Sequence, residues 1–320
     1  MEAVFTEKWN GTTTHPGFTE QLSRIEPFSR RTGTEYQLGN VRWGPSTGPP
    51  SDTFFRFITN LRIDRGIINP PIVFLSADLA KVRYVPVTRA CLLLIDSALM
   101  SGSQKRYPSP DGTKMLYSEH SGILKVTDRR VVGIEFSLDS TRMDDADADI
   151  YLPANNEVMN QGLFLFHTHP FTDGYGGRLH RHIVYEIPSS GDLYNFVKYR
   201  NSGFAQASFI AAPEGVYIIR PLVHRRFELP LDAHDAINRT VTDLEEEAMS
   251  RCKGLDLTDA DTFHQHVSAD RRCINQFNRY LSQYNLFVEY YPRVKEADTW
   301  KLPLVSLVYL PKSTDRTWRY

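Results

Sequence analysis

The stretch 163–193, LFLFHTHPFTDGYGGRLHRHIVYEIPSSGDL, joins an apolar run to two histidines, a proline and the motif Ser-Ser-Gly-Asp. The run Leu-Phe-Leu-Phe predicts a buried β-strand. Because side chains alternate along a strand, we expect His167 and His169 on the same face, with Cα atoms about 7 Å apart. Imidazoles placed in this way can converge on one zinc ion at about 2.0–2.1 Å. The stretch therefore predicts a metal-binding strand end.

A third candidate ligand follows in Ser189-Ser190-Gly191-Asp192, at the start of the predicted helix DLYNFVKYR. By itself this motif is typical of a helix capping box, in which Ser189 is the N-cap and Asp192 returns the hydrogen bond. A carboxylate in the first turn of a helix is also rigidly held, and beside the two histidines it would complete a His2Asp set. Three protein ligands leave a fourth position for water, which is typical of a catalytic zinc site.

Two further His-x-His pairs compete with the first. His180 and His182 follow a glycine-rich turn and could form a second strand pair. His264 and His266 lie in a helical pattern, where a step of two residues turns about 200° and directs the rings to opposite sides. Local chelation is therefore excluded for the last pair and stays open for the middle one.

The composition of the whole chain sets limits on its function. Its 320 residues are 41% hydrophobic, which suits a globular protein with one large or two modest domains. The net charge of -1 gives no general attraction to nucleic acid or to anionic membranes, so we expect neither as a partner. The N-terminus shows no signal-peptide pattern, and no apolar run reaches the ~18 residues of a membrane helix. We therefore expect a cytoplasmic protein.

The chain divides into three parts by composition. Residues 1–80 are rich in Gly, Pro, Ser and Thr and are interpreted as an N-terminal extension. Residues 81–223 alternate short apolar runs that are predicted to be strands, among them CLLLI and ASFIAA, with helix-like pieces. This pattern predicts an α/β domain with a mixed sheet flanked by helices. Residues 224–320 change to a helical period and close with the strand candidate LVSLVYL. This last part is predicted to be mainly helical.

Three motifs together resemble the pattern of the JAMM (MPN+ or JAB) zinc metallopeptidases: Glu119 in YSEHSGILKV, then FHTHP, then PSSGDL, over roughly residues 85–222. The resemblance implies an MPN (JAB)-type mixed sheet flanked by helices. It implies one zinc ion (Zn2+) per chain, with His167, His169 and Asp192 as its ligands. It also implies that Glu119 is the base that takes a proton from the activated water, and that Ser189 helps to stabilise the oxyanion.

The same resemblance implies an activity and partners. Members of the family hydrolyse amide bonds, often beyond the C-terminal glycine of a ubiquitin-like protein, in deconjugation or precursor processing. The sequence is similar to stand-alone bacterial deubiquitinase-like members, which can accompany ubiquitin-like, activating and conjugating proteins in antiviral defence operons. The expected protein is thus a zinc-dependent isopeptidase, whose partners are a ubiquitin-like protein or its conjugates and the activating and conjugating enzymes.

The spacing departs from the family pattern, because residues 171–188 form an insertion between the histidine motif and Ser189. Glycines at its tip permit varied backbone angles. The arm RLHRHIVYEI is predicted to be a strand whose free edge could pair with an extended peptide. A passive surface hairpin and a second metal site are the alternatives. The insertion residues assigned to substrate binding are Gly174, Gly176, Gly177, His180 and His182.

Other interpretations stay open on the sequence alone. Glu135, Glu157 and Glu186 are alternatives to Glu119 as the base. A non-catalytic MPN-type scaffold or binding module would keep the motifs without turnover. A metal-dependent hydrolase of another class is the third alternative, but barrels that open with His-x-His spread further ligands over about 200 residues. Only 151 residues follow His169. In the last alternative the two histidines are core residues and Ser189 is only a cap.

Overall fold

The structure is a computed structural model of the chain. It describes residues 36–38, 41–43, 83–109, 111–137, 143–145, 149–152, 157–172, 182–202, 205–221 and 227–309. From the predicted N-terminal extension it includes two short antiparallel strands, β1 (Tyr36–Leu38) and β2 (Val41–Trp43). The rest of the extension lies outside the described residues.

The elements that follow alternate between strands and helices. In chain order the strands are β3 (Arg83–Pro86), β4 (Tyr107–Pro108), β5 (Met115–Ser118), β6 (Ser121–Thr127), β7 (Arg130–Phe136), β8 (Met143–Asp145), β9 (Ile150–Leu152), β10 (Phe164–Thr168), β11 (Ala207–Ala211), β12 (Gly215–Pro221), β13 (Leu286–Pro292), β14 (Val294–Glu296), β15 (Thr299–Lys301) and β16 (Ser306–Tyr309). The helices are α1 (Arg89–Gly102), α2 (Glu157–Gln161), α3 (Ser190–Ser202), α4 (Ala233–Arg251), α5 (Ala260–Phe263) and α6 (Arg272–Leu281), with a π-helical turn at His264–Ser268 and a 3-10 turn at Ser282–Tyr284. Within the described part of the chain, no helix combines the length and apolar character needed to cross a bilayer.

A six-stranded mixed sheet lies at the centre of the fold, in the order β13-β12-β11-β10-β6-β7. β10 and β11 run parallel, with Phe166 opposite Phe209. The other neighbouring pairs of this sheet are antiparallel. Because β10 has a strand on each side, its apolar run is buried as predicted. The mixed sheet with helices around it confirms the α/β class.

Helices cover both faces of the sheet, so β10 is apolar on both sides. Phe164 and Phe166 face a core shared with α1 and β16. Leu165 faces the opposite core, formed with α3, α4 and α6. Full burial of each such side chain stabilises the fold by about 1.5–3 kcal/mol. Since the strand period is two, the histidines of FHTHP lie on the same face as Leu165, towards α3.

The apolar run CLLLI, predicted among the strand-like runs, lies instead in α1. Thr88 begins this helix as its N-cap, since its hydroxyl accepts a hydrogen bond from the Cys91 N–H at 3.3 Å. A short apolar run fits a buried strand or a buried helix equally well, and length decides between them. Here the helix continues for 14 residues. The prediction of a strand at this run is therefore wrong.

The C-terminal region, predicted as mainly helical over 224–320, is helical only in its first part. The helices α4 to α6 and the 3-10 turn end at Tyr284, and β13 then pairs along its length with β12 of the central sheet. The predicted strand in LVSLVYL is confirmed as β16, which pairs with β3. β13 is buried on both faces, so its sequence lacks the alternation of a half-exposed strand. The region therefore completes the central sheet.

Candidate metal centre

β10 delivers the two histidines of FHTHP to one edge of the sheet. His167 lies in the strand, and His169 follows directly after its last residue. His167 is opposite Ile210 of β11 on one side and Ser121 of β6 on the other. The His169 N–H donates to the carbonyl of Ala211 at 2.9 Å. Both imidazoles are thus presented from backbone that is fixed by sheet hydrogen bonds.

Asp192 reaches the histidines from the first turn of α3, where its motif also forms the predicted capping box. The Ser189 hydroxyl oxygen accepts from the Asp192 N–H at 3.2 Å. In return, Oδ2 of Asp192 accepts from the Ser189 N–H at 2.7 Å and from the Ser189 hydroxyl at 2.8 Å. The Asp192 side chain is therefore both a member of the capping box and the proposed metal ligand. The hydrogen bonds of the capping box fix its direction.

The three donor groups form a compact triangle, which we call the metal triangle: His167, His169 and Asp192. The two Nε2 atoms lie 3.1 Å apart. Nε2 of His167 is 3.0 Å from Oδ1 of Asp192, and Nε2 of His169 is 3.5 Å from Oδ2. Tetrahedral ligands at 2.0–2.1 Å from zinc lie about 3.4 Å from one another. The triangle therefore fits one small cation and can bind a metal ion.

A backbone carbonyl orients the ring of His169 through Nδ1, the nitrogen that points away from the metal triangle. Its Nδ1 lies 2.8 Å from the carbonyl oxygen of Glu186. A carbonyl oxygen only accepts hydrogen bonds, so Nδ1 carries a proton and donates it. In the neutral ring the lone pair is then on Nε2, the atom that faces Asp192. Histidine ligands in metal sites show this arrangement, in which the outer nitrogen donates to a carbonyl or carboxylate.

The electrostatics of the metal triangle favour a positive charge. Burial lowers the pKa of His169, but the hydrogen bond with Asp192 and the charges of Glu119, Asp192 and Glu186 outweigh burial and raise this pKa to about 10. Burial raises the pKa of Asp192, but the charges and hydrogen bonds of the two histidines hold it well below its usual range. The carboxylate therefore stays ionised, and His169 holds a proton unless a metal displaces it.

Glu119 lies beside the metal triangle, at the junction between β5 and β6. Its neighbour His120 is bonded twice to Thr168, since the Thr168 N–H donates to the His120 carbonyl at 2.9 Å and the His120 N–H donates to the Thr168 hydroxyl oxygen at 3.0 Å. Continuing the antiparallel register of β6 and β10 by two residues beyond the pair His167 and Ser121 sets Glu119 opposite His169. The side chain of Glu119 is partly exposed, and its charge acts on the pKa of His169.

The other glutamates weighed as bases have different surroundings. Glu135 lies on β7 and forms an ion pair with Lys125 at 2.9 Å. Glu186 is only 5% exposed, and its backbone carbonyl contacts His169. Glu157 begins α2. Of the three glutamates whose side chains the structure describes, the partly exposed Glu119 beside the triangle has the surroundings that a base needs.

Gly122 shows why YSEHSGILKV carries a glycine after the glutamate. A Cβ atom at this position would lie 1.9 Å from the carbonyl oxygen of Glu135 on β7. Since real Cβ atoms do not approach that closely, only glycine allows β6 and β7 to pair here. The register that brings Glu119 to the metal triangle therefore depends on this glycine.

Half of the predicted insertion, residues 173–181, lies outside the described residues, and with it Gly174, Gly176, Gly177 and His180. His182 is described. It is exposed, has a left-handed backbone with φ of 61°, and lies next to the C-terminal end of α4. The metal triangle does not include it.

The arm RLHRHIVYEI was predicted to be a strand with a free edge, and this prediction is wrong for its described part. Residues 183–189 form neither strand nor helix. The N–H groups of Val184 and Tyr185 donate to Oε2 of Glu245 on α4, at 2.7 and 3.3 Å. Both residues are buried. Their N–H groups are therefore unable to pair with a peptide.

Three contributors to the site were not predicted from the sequence: the Glu186 carbonyl, Glu214 and Glu245. Glu214 accepts from the Glu186 N–H at 2.8 Å. A sequence signal exists for Glu245, because it lies four residues after Val241 and three before Ala248, on the apolar face of the helix. Glu214 lies in the turn PEG, where a glutamate is usually a surface residue, so nothing in the sequence marks it.

The fold and the metal triangle define a mixed α/β protein with a three-residue site that can bind a metal ion. The chain is 39% identical over 297 residues to "Uncharacterized protein R413" of Acanthamoeba polyphaga mimivirus, and the alignment covers 87% of this chain and 82% of that protein. The chain therefore belongs to the same protein family as R413. No family model matches the sequence, and no solved structure matches the chain.

Proposed function

We propose that this protein is a zinc-dependent isopeptidase of the JAMM type, with an MPN-type arrangement of its central sheet. The observation that carries the proposal is the metal triangle, in which His167, His169 and Asp192 converge within 3.5 Å at a partly exposed sheet edge. Three such ligands leave the fourth position of a tetrahedral zinc ion to water, which suits a catalytic site. Glu119 beside the triangle supplies the base that hydrolysis needs.

The order of the elements supports the JAMM assignment. A helix, α1, precedes Glu119, and Glu119 leads directly into β6. β10 lies next to β6 and ends at the histidines. Asp192 then opens α3, and the next strand, β11, lies on the other side of β10. The three motifs are thus far apart in sequence but adjacent in space, as their use in one reaction requires.

Each residue then has a chemical role. Zinc, when bound, lowers the pKa of a water towards ~7 and polarises the scissile carbonyl. Glu119 would take a proton from the attacking water and pass it to the leaving amine. His169 keeps its Nδ1 proton on the Glu186 carbonyl, so its Nε2 remains the ligand atom. Ser189 is exposed at the start of α3, where its hydroxyl donates to Asp192, and in the reaction this hydroxyl would instead donate to the oxyanion.

The proposed substrate is the amide or isopeptide bond after the C-terminus of a ubiquitin-like protein, cleaved in deconjugation or precursor processing. Its support is the likeness of the three motifs to the JAMM pattern. The proposed partners are the ubiquitin-like protein or its conjugates and the enzymes that activate and conjugate it. Residues 173–181 follow His169 closely in the chain and precede Asp192, and we propose that this segment contacts the substrate tail.

Metal analysis combined with a cleavage assay tests this function. Purified protein should contain one zinc ion per chain and cleave C-terminal fusions or isopeptide conjugates of a ubiquitin-like protein. A chelator should abolish cleavage, and added zinc should restore it. Glu119→Gln should keep the zinc and lose turnover, whereas Glu135→Gln, a matched change two strands away from β10, should keep both. Absence of zinc from the wild type would refute the proposal.

A metal-binding module without turnover is the second candidate. The observation that favours it is the Ser189 hydroxyl, whose proton is directed to Asp192 at 2.8 Å. Bound zinc together with no cleavage of any ubiquitin-like fusion would select this candidate. Partner binding that is unchanged in Glu119→Gln would support it further.

A further inference from the structure

A buried segment, residues 184–187, contacts the metal triangle through the Glu186 carbonyl. The segment belongs to no helix or strand. Its four residues are between 0% and 6% exposed. Backbone N–H groups buried outside regular structure need other acceptors, because an unpaired buried N–H destabilises the fold. In this segment, three consecutive N–H groups donate to side-chain carboxylates.

Two buried glutamates supply these acceptors. Oε2 of Glu245 accepts from the N–H groups of Val184 at 2.7 Å and Tyr185 at 3.3 Å. Oε1 of Glu214 accepts from the Glu186 N–H at 2.8 Å. Glu245 comes from α4 and is 6% exposed, and Glu214 comes from the turn between β11 and β12 and is 0% exposed. We call these two glutamates the carboxylate clamp.

We propose that Glu245 and Glu214 are positioning residues of the metal centre. By holding residues 184–186 they aim the Glu186 carbonyl at Nδ1 of His169, and this keeps Nε2 turned towards the metal. The inference rests on the proposed function, because it gives the clamp a role in metal binding. Hydrogen-bond partners of the histidine nitrogen that does not bind the metal contribute about 10–100-fold to metal affinity.

The carboxylate clamp assigns a role to the C-terminal part of the chain. Glu245 lies on α4, which follows the region that resembles the JAMM pattern. The backbone of Glu214 is held from the end of β13, since its carbonyl accepts from the Tyr290 hydroxyl at 3.2 Å and from the Arg293 N–H at 3.0 Å. The Tyr217 hydroxyl donates to the Glu214 carboxylate. Both acceptors of the clamp therefore depend on residues after 227.

The chemistry of the clamp suggests a matched pair of variants. Burial raises the pKa of Glu245 to about 8 and that of Glu214 to about 7. Gln has the same shape as Glu245 and keeps the accepting oxygen. Ala removes that oxygen and leaves the N–H groups of Val184 and Tyr185 without their acceptor. Comparing Ala with Gln isolates the hydrogen bonds.

The test uses the full chain with Glu245→Ala, Glu245→Gln and the control Glu246→Ala, which changes an exposed glutamate of the same helix. Three quantities are measured: amide hydrogen exchange over 184–187, the NMR signal of the His169 Nδ1–H, and zinc affinity by competition with a chelator. Glu245→Ala should exchange faster, lose the Nδ1–H signal and bind zinc about 10–100-fold more weakly. Glu245→Gln should resemble the wild type in all three measurements, because it keeps the accepting oxygen. Glu246→Ala should match the wild type.

Wild-type zinc affinity in a folded Glu245→Ala, or an equal loss in Glu245→Gln, would overturn the proposal. If Glu245→Ala does not fold, the test is the exchange of the His169 Nδ1 proton in the wild type. Free exchange of this proton with solvent would contradict the proposed role of the carboxylate clamp. If the wild type binds no zinc, the proposed function fails. The Nδ1–H signals of the wild type and the variants then still decide whether the clamp orients His169.

Discussion

Replacing Asp192 by Ala removes a helix cap and a metal ligand together, and the structure allows the two losses to be separated. The cap consists of the Ser189 N–H and hydroxyl, which both donate to Oδ2 of Asp192. Such a cap contributes about 1 kcal/mol, and a negative charge in the first turn contributes about 0.3–1 kcal/mol. Loss of the cap alone should therefore lower the free energy of unfolding by about 1–2 kcal/mol.

Asp192 also stabilises protonated His169, and this contribution depends on pH. The folded-state pKa of His169, about 10, is raised above its ordinary value of 6.5. The resulting stability is fully present below pH 6.5 and is lost as pH rises through about 10. At pH 8 it is on the order of 2–3 kcal/mol, shared among Asp192, Glu119 and Glu186. Without metal, Asp192→Ala should therefore be less stable by about 2–4 kcal/mol at pH 8, and by only the cap value above pH 10.

Adding zinc distinguishes the role of Asp192 as a ligand from its roles in the helix cap and in stabilising protonated His169. At a free zinc concentration of about 1,000 times Kd, binding should stabilise the wild type by about 4 kcal/mol. Asp192→Ala has lost one of three ligands and should show no such stabilisation. The assay is urea unfolding at pH 8 with and without zinc, together with metal analysis of the purified variant.

Two controls bracket this result. Ser189→Ala removes the capping hydroxyl but no metal ligand, so it should lose about 1 kcal/mol and keep its zinc. His266→Ala changes an exposed histidine outside the metal triangle and should change neither quantity. If Asp192→Ala retained one zinc ion per chain and the full stabilisation by zinc, the ligand assignment would be refuted.

Three further predictions follow from the same geometry. Glu119→Gln should keep fold and zinc but lose about 10²–10⁴-fold in turnover, and a larger effect of Glu186→Gln in the same assay would move the base to Glu186. Zinc binding at pH 7 should release about one proton, because His169 holds it up to a pKa of about 10, and calorimetry in buffers of different ionisation enthalpy that found no release would contradict this. Replacing 173–181 by a short Gly-Ser linker should leave zinc in place and raise KM on a ubiquitin-like conjugate, whereas unchanged kinetics would make the segment a passive loop and loss of part of the metal would indicate a second site.

The parts of the site that the sequence predicts are those set by short-range periodicity. The period of two along β10 places His167 and His169 on one face, and the capping box fixes Asp192 within four residues of Ser189. Both patterns depend on neighbours in the chain, so composition and spacing are sufficient to find them. The meeting of strand end and helix start then follows from the order of elements in an α/β layer.

The parts that the sequence does not predict depend on partners far away in the chain. Val184 and its acceptor Glu245 are 61 residues apart, and Glu186 and Glu214 are 28 apart. The pattern IVYEI favours a strand locally, but two buried carboxylates take the N–H groups that strand pairing would use. The strand β13 was also not predicted. It is buried on both faces, so its sequence lacks the alternation of a half-exposed strand and was not distinguished from the helical pattern before it.

In one alternative interpretation the histidines are only core residues. This alternative also requires a cation at the metal triangle. Since Nδ1 of His169 donates to the Glu186 carbonyl, a neutral ring would direct the lone pair of Nε2 towards the Asp192 carboxylate, 3.5 Å away. A proton relieves this repulsion, but it bonds only two of the three donor atoms at a time. A zinc ion bonds all three at distances that the triangle already allows. Above pH 10 the proton leaves His169, so a site that serves only as core loses stability there, whereas a zinc site retains it.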